Sequence, residues 1–186
     1  MIKALLVGVS ASFFFSAPAY AQIVVNGGGK AKECYQKTKR GDPGRKSTIK
    51  LCKTALATEV LTGTNEAATH INTAILHMRS GDYPKADMHY NEAITLRPKL
   101  SEAYISHAAN HIFQGNYEAA VKSVTTGIEL GTDKMPEALY NRAIAYDRLK
   151  QYTLAYKDLK QALALRPDWD DAVKAISRYD VVSRPG

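Results

Sequence analysis

Three groups of residues in this chain have the types and spacing for chemistry. Cys34 and Cys52, its two cysteines, stand 18 positions apart. A metal site would need further ligands, and no histidine lies between or beside them, so a structural disulfide is expected. Closing that loop stabilises a fold by ~3 kcal/mol on the chain-entropy account. His107 and His111 are four apart, the spacing that puts two imidazoles on one helix face. The peptidase version of that motif requires Glu at position 108, where this chain has Ala108. His70, His77, His107 and His111 all fall at inward positions of the repeat pattern described below. They are therefore expected as core residues, with no metal bound.

The third group, Gly41–Thr48 (GDPGRKST), has the outline of a phosphate loop. That loop needs Gly directly before Lys-Ser/Thr and a strand leading in, but Arg45 intervenes and the segment lies between the two cysteines. The carboxylates are scattered over polar helix faces, and no G-x-S-x-G elbow occurs. No catalytic residue and no cofactor are expected, and the chain is read as a non-enzyme.

The first residues, MIKALLVGVSASFFFSAPAYAQ, place Lys3 before an apolar run that ends near Ser16, followed by Ala19-Tyr20-Ala21. This is the layout of a cleavable signal peptide over 1–21, its apolar run shorter than the ~20 residues of a membrane span. Export to the periplasm is expected, with no transmembrane segment in the mature chain. Removing Lys3 leaves 24 basic against 18 acidic residues. Lys30–Lys53 alone holds nine Lys/Arg against Glu33 and Asp42, while the remainder is nearly neutral. Such a patch could draw an anionic envelope surface, or it could be a solvated face without a role. No nucleic-acid partner is expected.

The elements that must position these groups are announced by a repeat. Tyr83, Ala86, Ala93 and Leu96 recur 34 residues on as Tyr117, Ala120, Gly127 and Leu130, then 35 further as Tyr152, Ala155, Ala162 and Leu165. A period of this length predicts stacked helical units. Helices are expected at about 65–79, 84–96, 101–114, 117–130, 136–149 and 153–165, with Thr64 capping the first. Before them, Lys32–Lys39 and Thr48–Val60 are expected as a short pair, with Ile49, Cys52, Leu56 and Val60 on one face of the second. Asp168 is expected to cap a last helix running to about Tyr179, and Val181–Gly186 should be loose.

These units resemble tetratricopeptide repeats. The third carries the pattern best, in Leu139, Arg142-Ala143, Tyr146, Ala155, Leu159, Ala162 and Pro167. The first has His70, Thr73-Ala74, His77, Ala86, Tyr90, Ala93 and Pro98; the second has Tyr104, His107-Ala108, His111, Ala120, Val124 and Gly127. The resemblance implies an all-α fold, a tetratricopeptide-type α-solenoid of stacked antiparallel helix pairs with a C-terminal capping helix. The expected division is a flexible lead-in and degenerate disulfide-linked pair over 22–63, repeats at 67–100, 101–135 and 136–169, a capping helix at 170–180 and a tail at 181–186.

In this family a second apolar stripe on each first helix lines a concave groove for peptides. Here the stripe comprises Ile71, Ile75, Met78, Ile105, Ile112, Phe113, Tyr140 and Ile144. Two alternatives stand beside that reading: the stripe could pack against the neighbouring repeat, or the chain's own N-terminal segment could cover it. Asn72 and Asn141 occupy asparagine-like positions of the family's carboxylate clamp. Its cations are missing, with Ile71, Ile105 and Tyr140 in their place, so recognition of a peptide's carboxylate end is not expected. The leading function is a protein or peptide adaptor; the alternatives are attachment to an anionic surface through 30–53 and self-association as a homo-oligomer.

Overall fold

The computed structural model describes residues 4–8, 18–20 and 23–183. Among these residues the fold is all-α: nine helices stacked in antiparallel pairs, joined at the ends by one short two-stranded ribbon. After β1 (Ala4–Gly8) come α1 (Gly29–Lys39) and α2 (Lys46–Thr58), then three regular hairpins. These are α3 (Gly63–Arg79) with α4 (Tyr83–Leu96), α5 (Ser101–Gln114) with α6 (Tyr117–Glu129), and α7 (Met135–Arg148) with α8 (Tyr152–Leu165). A short α9 (Asp170–Ile176) and β2 (Tyr179–Ser183) close the order. Because α3, α5 and α7 touch in succession, the first helices form one continuous wall.

Small residues set the spacing within each hairpin. Ala74 and Ala86, Ala108 and Ala120, and Ala143 and Ala155 are all fully buried. Gly127 replaces the alanine found at 93 and 162, and a Cβ there would stand 2.9 Å from Ile105 Cγ1 and 3.1 Å from the Ser101 carbonyl. The turns after α3 and α5 pass through left-handed Gly81 and Gly115. At the matching place after α7 the chain has Lys150, whose φ of 61° is the sole positive value among the described non-glycine residues.

Several boundaries move from expectation. Thr62, not Thr64, caps α3, its side chain accepting from the Asn65 N–H at 3.3 Å, so the helix starts two residues early. Residue Trp169 precedes α9, and Asp168 makes no capping bond there. Val60 lies beyond α2 and is fully exposed, so it leaves the expected stripe; Ala55 and Thr48 are buried with Cys52 instead. The expected loose tail is ordered through Ser183: β2 pairs antiparallel with β1, from Gly8↔Tyr179 to Ala4↔Ser183. The valines of YDVVS favour an extended chain, and an adjacent edge supplies the hydrogen bonds. The leader's apolar run is described only at Ala4–Gly8, and the expected cut after Ala21 lies outside the described residues.

Cys34 and Cys52 are joined as a disulfide, their Cα atoms 5.1 Å apart, and the buried pair packs with Leu76 of α3. Glycine begins α1 and cannot cap it; Glu59, beyond α2, accepts from the Lys30 and Ala31 N–H groups instead. The GDPGRKST loop holds its own carboxylate rather than a phosphate. Asp42 accepts from the Gly44 and Arg45 N–H groups and from the Thr48 hydroxyl, each at 2.8–2.9 Å. Burial alone would raise this carboxyl, but those hydrogen bonds and the Arg45 charge hold it below the ordinary carboxylate value. Gly44 is obligatory: its φ is +88°, and a Cβ would meet the Leu76 carbonyl oxygen at 2.2 Å.

Candidate functional site

The wall formed by α3, α5 and α7 is occupied by the chain itself. Residues 18–20 and 23–26 lie along it as a strap, with 21–22 outside the described residues. At the third repeat, the Ala19 N–H donates to Asn141 Oδ1 at 2.8 Å, and Asn141 Nδ2 donates back to the Ala19 carbonyl at 2.5 Å. At the first repeat, Asn65 makes the same two-way bond to Asn26, at 3.1 and 2.9 Å. Between them, Asn72 Nδ2 reaches the Ile23 carbonyl at 3.4 Å. Both asparagines that the family pattern singles out therefore hold main-chain atoms of a peptide segment; Ser106 stands at that place in the second repeat.

The match between strap and helix is geometric. Asn65, Asn72 and Arg79 of α3 hold Asn26, Ile23 and Tyr20 in turn. Seven helical residues advance ~10.5 Å at ~1.5 Å each. Three residues of extended chain advance ~10 Å at ~3.3 Å each. The backbone contacts at Asn65 and Asn72, seven apart on the helix, thus stay in phase with Asn26 and Ile23, three apart on the strap.

Arg79 carries more than its rung. Its Nε and Nη2 donate to the Tyr20 hydroxyl at 2.9 and 2.6 Å, and its guanidinium lies 4.8 Å from the Tyr20 ring centroid. Its Nη1 donates to the carbonyls of Thr38 and Asp42 at 2.8 and 2.9 Å, fastening the disulfide hairpin to the first repeat.

Of the eight residues expected in an open groove, seven are buried: Ile71, Ile75, Met78, Ile105, Ile112, Tyr140 and Ile144. Ile71, Ile75 and Met78 form one apolar cluster, against which Tyr20 and Ile23 of the strap pack. Ile105, Ile112, Tyr140 and Ile144 belong to a second cluster that continues into α8 and α9, with Tyr140 4.7 Å from the Trp169 ring. Phe113 alone stays exposed, stacked at 5.8 Å on Tyr83. Both alternatives to an open stripe therefore apply, each to part of it. Reasoning from sequence missed Asn65 and Arg79 as strap contacts; the seven-residue spacing with Asn72 was the available signal.

The five histidines lie together on α3, α4 and α5. His70 and His89 approach to 3.0 Å between ring nitrogens, and His77 stacks on His89 at 5.6 Å. His107 stacks on His111 at 4.2 Å and hydrogen-bonds Asp87 at 2.8 Å. Burial lowers all five imidazoles below their ordinary value, His89 to about 4, so they are neutral near pH 7. Burial alone would raise Asp87, but bonds from His107 and Asn110 hold it low. Among the described residues, Asp87, His107 and His111 form a group with one ligating atom each, all within 4.8 Å of one another.

A family profile described as the tetratricopeptide repeat matches residues 136–168. The human mitochondrial import receptor subunit TOM34 is 30% identical over 108 residues, 54% of this chain and 35% of that protein. The photosystem I assembly protein Ycf3 of Cyanophora paradoxa is 31% identical over 104 residues, 56% of this chain and 48% of that protein. The chain thus spans less than half the length of these curated relatives. Among solved structures, MamA of Desulfovibrio magneticus superposes with a TM-score of 0.63 at 20% identity, covering 80% of this chain and 82% of that one. The second such domain of human RPAP3, solved with an HSP70 peptide, gives 0.58 at 23%, covering 63% and 97%. At these identities the superpositions speak for the fold alone. Residues 136–168 thus match a tetratricopeptide repeat profile, and the three helical hairpins stack with the fold of solved tetratricopeptide repeat domains.

Proposed function

We propose that this chain is a non-catalytic periplasmic adaptor that grips an extended segment of another protein along the α3–α5–α7 wall. The observation that carries this reading is the two-way bond between Asn141 and the backbone of Ala19. A side-chain amide that reads an N–H and a carbonyl of one residue asks for an extended backbone and ignores side-chain identity. In the unprocessed chain the strap fills that role. Cleavage after Ala21 would remove Ala19 and Tyr20 and keep Ile23–Asn26, so the third-repeat half of the wall opens while the first-repeat half stays covered. The leader layout and the buried disulfide support export, since disulfides persist in oxidising compartments. Among the described residues no helix is long and apolar enough to cross a membrane.

The test is fluorescence anisotropy with a labelled peptide of residues 16–26 offered to a chain beginning at Gln22. Binding is expected, and Asn141→Ala should weaken it by about 30-fold, the equivalent of two hydrogen bonds at ~1 kcal/mol each. A folded protein that ignores the peptide, or binds it equally well without Asn141, would refute this function.

A second reading rests on a cleft of about 810 Å³ beside α2. Lys46, Lys50, Lys53 and Lys85 line it together with apolar Ile49 and Ala57. Here the basic segment would hold an anionic envelope component, and attachment would weaken steeply with salt, unlike docking on an apolar wall.

A further inference from the structure

We propose that Asp87, His107 and His111 form a zinc site that bridges the first and second repeats. Sequence offers half of it, since His107 and His111 share one face of α5. The third ligand is 20 residues away on α4 and meets them only in the folded stack. Two imidazoles and a carboxylate suit a borderline first-row divalent ion, with positions left for water or a partner's side chain.

An ordinary core network accounts for only part of this group. The bond from His107 to Asp87 satisfies those two side chains, and Asn110 Nδ2 donates to the same Asp87 oxygen at 2.8 Å. His111 is left over: its Nδ1 is buried without a hydrogen-bond partner. An ion between the three residues would satisfy all of them. Ligating atoms ~2.0–2.2 Å from one zinc stand roughly 3–4 Å apart, so a spread within 4.8 Å closes by small side-chain rotations. Asn110 would then orient Asp87 from behind as a positioning residue, while its second contact, to the Tyr83 carbonyl at 3.2 Å, fixes the amide. The ion would tie α4 to α5 across the repeat junction and leave the Asn141 end of the wall untouched.

Equilibrium dialysis of the chelator-stripped full chain against Zn²⁺ tests this directly. One zinc per chain is expected, together with a higher Tm in its presence. Asp87→Asn and His111→Gln should each abolish stoichiometric uptake, whereas His70→Gln, outside the site, should retain it. Asn110→Ala should weaken binding by about 10- to 100-fold without changing the stoichiometry. Because a buried substitution can unfold the chain, circular dichroism accompanies each variant, and Co²⁺ absorption of the unmodified protein gives a readout independent of them. The site is overturned if the unmodified chain takes up no zinc, or if folded Asp87→Asn and His111→Gln proteins bind as it does.

Discussion

The first and third repeats use the same helical hairpin and spend their arginines differently. Arg142 of α7 binds Asp158 of its partner helix α8 through two bonds of 2.7 and 3.0 Å, with Asp158 almost fully buried. Arg79 of α3 makes no ion pair among the described contacts and instead fastens the disulfide hairpin and the strap. One repeat is held together from within, and the other serves as the anchor for everything that precedes it. The third repeat can therefore release Ala19 without disturbing its own packing. Releasing the strap from the first repeat would loosen a junction that the N-terminal hairpin also depends on.

The sharpest way to break this contrast is Arg142→Ala. It leaves the Asp158 charge buried without a partner, and should cost about 3–5 kcal/mol in chemical unfolding. Asp158→Asn added to it should recover part of that loss; no recovery would mean that Arg142 acts through packing. Next comes Gly44→Ala, expected to cost at least about 3 kcal/mol, since it combines a left-handed φ with a clash against a helix carbonyl. That loss belongs to the junction of the disulfide hairpin with α3, so hydrogen exchange should rise first in α1 and α2. Arg79→Ala should cost about 2 kcal/mol, in the range for hydrogen bonds to a charged group, and should also be felt in α1 and α2 while α7 and α8 stay protected. Uniform loss of protection along the chain would erase the distinction between anchor and self-contained unit. The smallest effect has the opposite sign. Lys150 adopts the left-handed turn that Gly81 and Gly115 adopt in the other repeats, so Lys150→Gly should stabilise the third repeat by up to about 1 kcal/mol.

How much could be foreseen divides along the range of the contacts. The six repeat helices were legible to within two residues at their ends, because Tyr, Ala and Leu landmarks at a fixed period record packing between adjacent helices. The disulfide was legible because two cysteines leave one pairing. The state of the wall was not: Ala19 and Asn141 are 122 positions apart, and nothing local marks either as the other's partner. Apolar residues such as Ile71 and Ile144 look alike in sequence whether they face a ligand, a neighbouring repeat or their own leader. Asp87 was hidden in a similar way, as one of many carboxylates until α4 laid it beside two imidazoles. Gly44 reads as a turn residue, while its closeness to Leu76 is a property of the assembled stack.

The rungs along α3 also differ in what fixes the register of an occupant. Asn65 and Asn72 hold main-chain atoms, which any residue offers, whereas Arg79 holds the Tyr20 hydroxyl. A chain displaced along this helix would meet the two amides with new residues but satisfy the guanidinium only where a hydroxyl comes to rest, so Tyr20 sets an alignment that the amides alone leave free.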